Sequence, residues 1–133
     1  MTTTVPDSVA TAWGLLQDLN GGYWEYDSIK KHQYSAAAKL VCQWLQDSIL
    51  GGAPGRISYN PGGPAVSGET TLHTDRVYIQ LCADCLDGVL VRACSGLNDC
   101  VGGANTYVPL KHTARKLAEH VKDTYERGCK HGS

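Results

Sequence analysis

The sequence predicts an α+β fold in a single domain over residues 1–133: two N-terminal helices, a small antiparallel sheet with a central hairpin, and a closing C-terminal helix. Three observations lead there. Apolar residues recur at helical spacing near both ends, they alternate with polar ones from Glu69 to Ala93, and no linker-like stretch divides the chain. A chain of 133 residues buries roughly two thirds of the surface it exposes when unfolded, enough for one core.

The first helix follows from Pro6-Asp7-Ser8, a capping signal ahead of Val9, Ala12, Trp13, Leu16 and Leu19, and Asn20-Gly21-Gly22 ends it. A second, central helix starts near Asp27 or Ser28 and runs to about Leu50. Its expected buried stripe is Ile29, Ala36, Ala37, Leu40, Val41, Trp44, Leu45 and Ile49. Residues 51–68 are rich in glycine and proline around Arg56–Asn60, which reads as a loop holding an edge strand. Val77, Ile79 and Leu81 alternate with polar neighbours, and Val89, Val91 and Ala93 answer them. Pairing Leu81 with Val91 and Ile79 with Ala93 makes a hairpin whose loop is Asp84–Gly88. After a glycine-rich stretch over Ser95–Asn105, Pro109 suits the first position of the last helix. That helix carries Leu110, Ala114, Leu117, Val121 and Tyr125, with Gly128 ending it.

Composition narrows the function classes. Hydrophobic residues make up 42% and charged residues 19%, a globular balance that excludes a disordered chain. The net charge of −1 offers no general attraction to a polyanion, so nucleic acid is not an expected partner and would need a local basic patch. No run approaches the ~20 apolar residues that span a bilayer, and the N-terminus lacks a secretory pattern; no membrane association and a cytoplasmic location are expected. Under reducing conditions the six cysteines are then free thiols or metal ligands rather than disulfides.

Three constellations carry possible chemistry. Cys82, Cys85, Cys94 and Cys100 are spaced C-x2-C-x8-C-x5-C, and Cys129 with His131 offers two further ligands for a tetrahedral zinc. Against zinc stands the loose second pair, and against any site stands the habit of cysteine to pack as a small hydrophobe, as expected of Cys42. The H-x-E and P-C-x-x-C signature of zinc nucleobase deaminases is absent. His73, Asp75 and Arg76, with Glu69 nearby, are the densest acid–base set. In one continuous strand Glu69, Thr71, His73 and Asp75 would share the face of Val77 and Ile79, as a hydrolytic site would require. A solvated strand end is the plainer reading.

The third constellation opens the last helix. Lys111, His112, Arg115 and Lys116 occupy an end where acidic residues are favoured, just after the turn formed by Gly102, Gly103 and Asn105. Basic side chains, free helix amides and a glycine turn together form a seat for phosphate or carboxylate. The alternative is a solvated face in which Arg115 pairs Glu119 and Lys122 pairs Glu126. Tyr23, Trp24 and Tyr26 crowd the loop between the first two helices and must cover a core, a ligand or a second copy.

The expectation is therefore a small non-enzymatic binding protein, without a cofactor and forming a homodimer. It recognises an anionic small ligand, nucleotide-like ones included, or a protein partner, as an inhibitor, sequestering protein or adaptor. Two alternatives stay open, a hydrolytic enzyme using His73, Asp75 and Arg76, and a zinc-stabilised interaction module.

Overall fold

Helix α1 runs from Asp7 to Leu19 and buries Val9, Ala12, Trp13 and Leu16, the stripe its spacing predicts. This is seen in a computed structural model that describes residues 4–19, 28–60, 69–82, 88–94 and 105–131. Asp7 in the first turn suits the positive end of the helix. The aromatic loop of Tyr23, Trp24 and Tyr26 lies outside the described residues.

Helix α2 (Ser28–Trp44) runs directly into a π-helical turn over Leu45–Ile49. Its buried side is Tyr34, Ala37, Ala38, Val41, Cys42, Trp44 and Leu45, which corrects the expected stripe. Ile29 is 70% exposed and Leu40 38%, and Ala36 is exposed with them. At 100° per residue those three fall within one narrow arc opposite the Val41–Leu45 side. Tyr34, Ala38 and Cys42 hold the buried period, and a reading weighted toward bulky aliphatics passes them over. The π turn is closed by the Leu50 amide on the Leu45 carbonyl at 2.8 Å. Gly51 and Gly52, at φ 65° and 79°, then release the chain. Gln46 donates from its side chain to the carbonyls of Ala53 and Gly55, steering the backbone into the sheet.

Strands β1 (Gly55–Asn60), β2 (Glu69–Thr74), β3 (Val77–Cys82), β4 (Val89–Ala93) and β5 (Asn105–Val108) form an antiparallel meander in chain order. The expected edge strand is β1. The central hairpin is in a different register from the expected one: Ile79 faces Val91 and Val77 faces Ala93. A slip of two residues keeps every side chain on its face, so alternation alone cannot separate the two registers. Gly88 helps to decide between them. Its φ of 111° is closed to other residues, and a side chain there would run into the Val108 carbonyl, so the β3–β4 connection must end at Val89 beside β5.

Thr70, Leu72, Thr74, Val77, Ile79, Leu81, Val89, Val91 and Val108 are buried on one face of the sheet. Helix α2 covers β1 and β2, α3 covers β3 to β5, and α1 packs chiefly on α2. Helices and sheet share one core cluster. Each fully buried aliphatic side chain in it contributes about 1.5–3 kcal/mol.

Helix α3 spans Ala114–His131 and so starts later than Pro109 and ends beyond Gly128, two corrections to the expected bounds. Pro109 instead opens a turn, its carbonyl accepting the His112 amide at 3.0 Å. Thr113 is the cap, its hydroxyl accepting the Lys116 amide at 3.2 Å. A helix begun at Pro109 would need the carbonyls of Leu110 and His112 for its own ladder. Those carbonyls are held from α1, by the Gln17 side chain and by Trp13 Nε1 at 2.7 Å. Gly128 is tolerated because a single interior glycine costs only about 1 kcal/mol. Among the described residues no helix is long and apolar enough to cross a membrane.

Candidate functional site

The second face of the sheet is assembled by register. Residues directly opposite across an antiparallel ladder point the same way. Arg56 faces His73, His73 faces Tyr78, Tyr78 faces Arg92 and Arg92 faces Asn105, so one row crosses all five strands. The neighbouring row is Ser58, Thr71, Gln80, Leu90 and Tyr107. The helices lie on the opposite face, where the core is. Tyr107 is 44% exposed, and His73, Tyr78 and Arg92 are half-buried among their neighbours.

Local bonding organises this face. The rings of His73 and Tyr78 meet edge to face, centroids 5.6 Å apart. Tyr78 donates to Gln80 Oε1 at 3.3 Å, and Gln80 Nε2 donates to Glu69 at 2.8 Å, so the one carboxylate that the described residues place on the face is already engaged. Neither Arg56 nor Arg92 has a carboxylate partner among the described residues. Arg92 Nε is fully buried with no hydrogen-bond acceptor there. Leaving such a donor unpaired costs about 1–3 kcal/mol, more when charged. Two guanidiniums around two rings can hold an anion and stack a planar group.

The expected acid–base set is not gathered. Glu69 and His73 lie on this outer face, roughly 13 Å apart along β2. Asp75 and Arg76 form the turn after it, so the continuous strand that would place them beside Val77 and Ile79 does not exist. No residue of the turn has a positive φ, and so it lacks the primed conformation that two-residue hairpins favour. The buried Thr74 hydroxyl closes it instead, accepting the amides of Arg76 and Val77 and donating to the Val77 carbonyl at 3.1 Å. Asp75 accepts the Tyr125 hydroxyl at 2.9 Å, and the Arg76 guanidinium stacks over that ring. Both residues thus dock the hairpin on α3.

The described ends of the cysteine set are likewise apart. Cys82 ends the central strand β3, far from Cys94, which follows β4 and donates its amide to the Arg76 carbonyl. The two lie at opposite ends of one hairpin, about 20 Å apart by strand rise, whereas zinc–sulfur bonds are about 2.3 Å. Cys129 and His131 lie in the last turn of α3, after Tyr125. Cys85 and Cys100 are outside the described residues, among which no three His, Cys, Asp or Glu side chains could hold a metal. Burial pushes the Cys42 thiol up to about 12, which leaves it inert.

The expected anion seat is divided. Gly102 and Gly103 are outside the described residues. Asn105 begins β5 opposite Arg92, a strand's length from Lys111, because β5 and a turn stand between the glycines and α3. Lys111, Arg115 and Lys116 are exposed and His112 is half-buried. Thr113 already occupies the Lys116 amide. The pairs Arg115–Glu119 and Lys122–Glu126 are not formed; the ion pair on α3 joins Arg127 and Asp123.

Arg56, Tyr78 and Arg92 were not singled out from the sequence. The available signal was their outward parity in each strand, once the registers of all four ladders are known together. Comparison with protein-family models, curated proteins and solved structures finds no match to the chain.

Proposed function

We propose that the chain is a small non-enzymatic binding protein that holds an anionic small ligand, nucleotide-like ones included, on the sheet face that no described helix covers. The observation that carries this reading is Arg92, whose buried Nε has no acceptor among the described residues and stands in one row with Arg56, His73 and Tyr78. An oxyanion reaches that group once the half-buried Arg92 side chain turns outward, and it then supplies the missing acceptor in a charge-assisted bond. A cytoplasmic location accords with the free thiol of the buried Cys42.

A second seat is favoured by the exposed Lys111, Arg115 and Lys116, which have no carboxylate partner among the described residues. Thermal melts with phosphate, sulfate and a nucleoside monophosphate, at matched ionic strength, separate the two. The sheet-face reading expects an anion-dependent rise in Tm that Arg92→Gln abolishes and Arg115→Glu preserves. The reverse pattern moves the site to the start of α3. No rise with any anion leaves the protein-partner version, in which an acidic surface or a second copy of the chain covers the row.

A further inference from the structure

We propose that the ligand of this sheet face, which no described helix covers, is single-stranded nucleic acid, laid across the strands with phosphates on Arg56 and Arg92 and bases against His73 and Tyr78. This rests on the anion-binding reading of that face and narrows it to one ligand class. The row runs cation, ring, ring, cation over four neighbouring strands. Three interstrand spacings of roughly 4.8 Å separate the Cα atoms of the two arginines by about 14 Å. A single phosphate placed on Arg92 leaves Arg56 and the rings without a role. A strand of nucleotides repeats charge and planar face along its length and uses every member of the row, as in other aromatic and basic platforms for single strands.

The charge argument is local. The whole chain carries −1, which gives no long-range attraction, but among the described residues the face bears two guanidiniums against a single carboxylate already hydrogen-bonded to Gln80. Tyr107, 44% exposed in the next row on β5, extends the platform beyond Arg92. A duplex hides its bases and meets such a flat sheet only through its backbone, so the face discriminates for single strands. Stacking without base-edge readout makes recognition tolerant of sequence.

The test is fluorescence anisotropy with a short fluorescein-labelled single strand of mixed sequence, as DNA and as RNA, over a salt series. Wild type is expected to bind the strand more tightly than the matching duplex or a nucleoside monophosphate. The slope of log K against log salt should be about −1.4, two contacts at roughly 0.7 each, and should halve in Arg56→Gln and in Arg92→Gln. Arg56 is exposed on the edge strand, so its variant carries little folding risk. Tyr78→Leu should weaken binding at least fivefold, near the low end for a stacked base. Phosphate binding that depends on Arg92, with no tighter binding of the single strand, overturns the nucleic-acid proposal and leaves the anion site standing. Strand binding that survives Arg92→Gln and is lost in Arg115→Glu also overturns it. Absence of binding by any of these probes sinks both readings.

Discussion

Thr74 illustrates how one side chain substitutes for a backbone conformation. Its hydroxyl serves two amides and one carbonyl in a buried turn whose residues all keep negative φ. Thr74→Val retains shape and removes those bonds, and denaturant unfolding should show a loss of about 1–3 kcal/mol, with Thr74→Ser recovering most of it. His120 is the other informative residue. Its Nε2 lies 2.7 Å from the Thr106 hydroxyl, which donates to the Val91 carbonyl, so the imidazole donates and ties α3 to the edge strand β5. Burial lowers its pKa below 6.5, Arg127 adds to that, and Asp123 opposes it. The unfolded chain then binds the proton more readily. The stabilisation from neutral His120 is complete above the unfolded value of ~6.5 and is lost as pH falls through the lower folded value. His120→Gln keeps a donor and cannot titrate, so its melting temperature should fall less than that of wild type between pH 7 and pH 5. Parallel pH curves would remove His120 from the account.

At the scale of elements, periodicity located the three helices and the central hairpin, missed the four-residue β5, and failed where two phases or two registers looked alike. In α2 the apolar residues Ile29, Ala36 and Leu40 suggested one side, while small and amphipathic residues, Ala38, Cys42 and Tyr34, bury the other. Leu45→Ala should cost about 2–5 kcal/mol and Leu40→Glu less than about 0.5 kcal/mol, measured by the same unfolding titration. The exposed stripe of Ile29, Ala36 and Leu40 also gives the expected homodimer a second contact to use besides a sheet edge. Sedimentation should then show wild type self-associating and Leu40→Glu shifted toward monomer. A dimer unchanged by Leu40→Glu assigns the contact to an edge strand. The start of α3 shows a different limit, since Pro109 and Thr113 are both sound helix openers, and Trp13 and Gln17, about a hundred residues away in sequence, decide between them.

For the whole molecule, the α+β class was legible because it needs only the type and order of elements, and helix and strand periods differ enough to be told apart. The site was legible only in pieces. His73 and Asn105 were among the residues singled out, for other reasons, and Arg56, Tyr78 and Arg92 looked like ordinary outward positions in separate strands. A cross-strand row exists only after four registers are combined, and the central one was two residues off. The Asp75–Arg76 grouping failed for the converse reason, that closeness in sequence was spent on a turn, and Cys82 and Cys94 are likewise spread along a strand. The most direct test of the anion-binding face is nitrogen–proton NMR of the arginine Nε–H groups during titration with phosphate or a nucleoside monophosphate. The account predicts that the Arg92 Nε–H signal shifts first and saturates, together with backbone amides of His73 and Tyr78, while Arg115 stays in place. Saturable shifts confined to Arg115 and Lys116, with Arg92 unmoved, would contradict it.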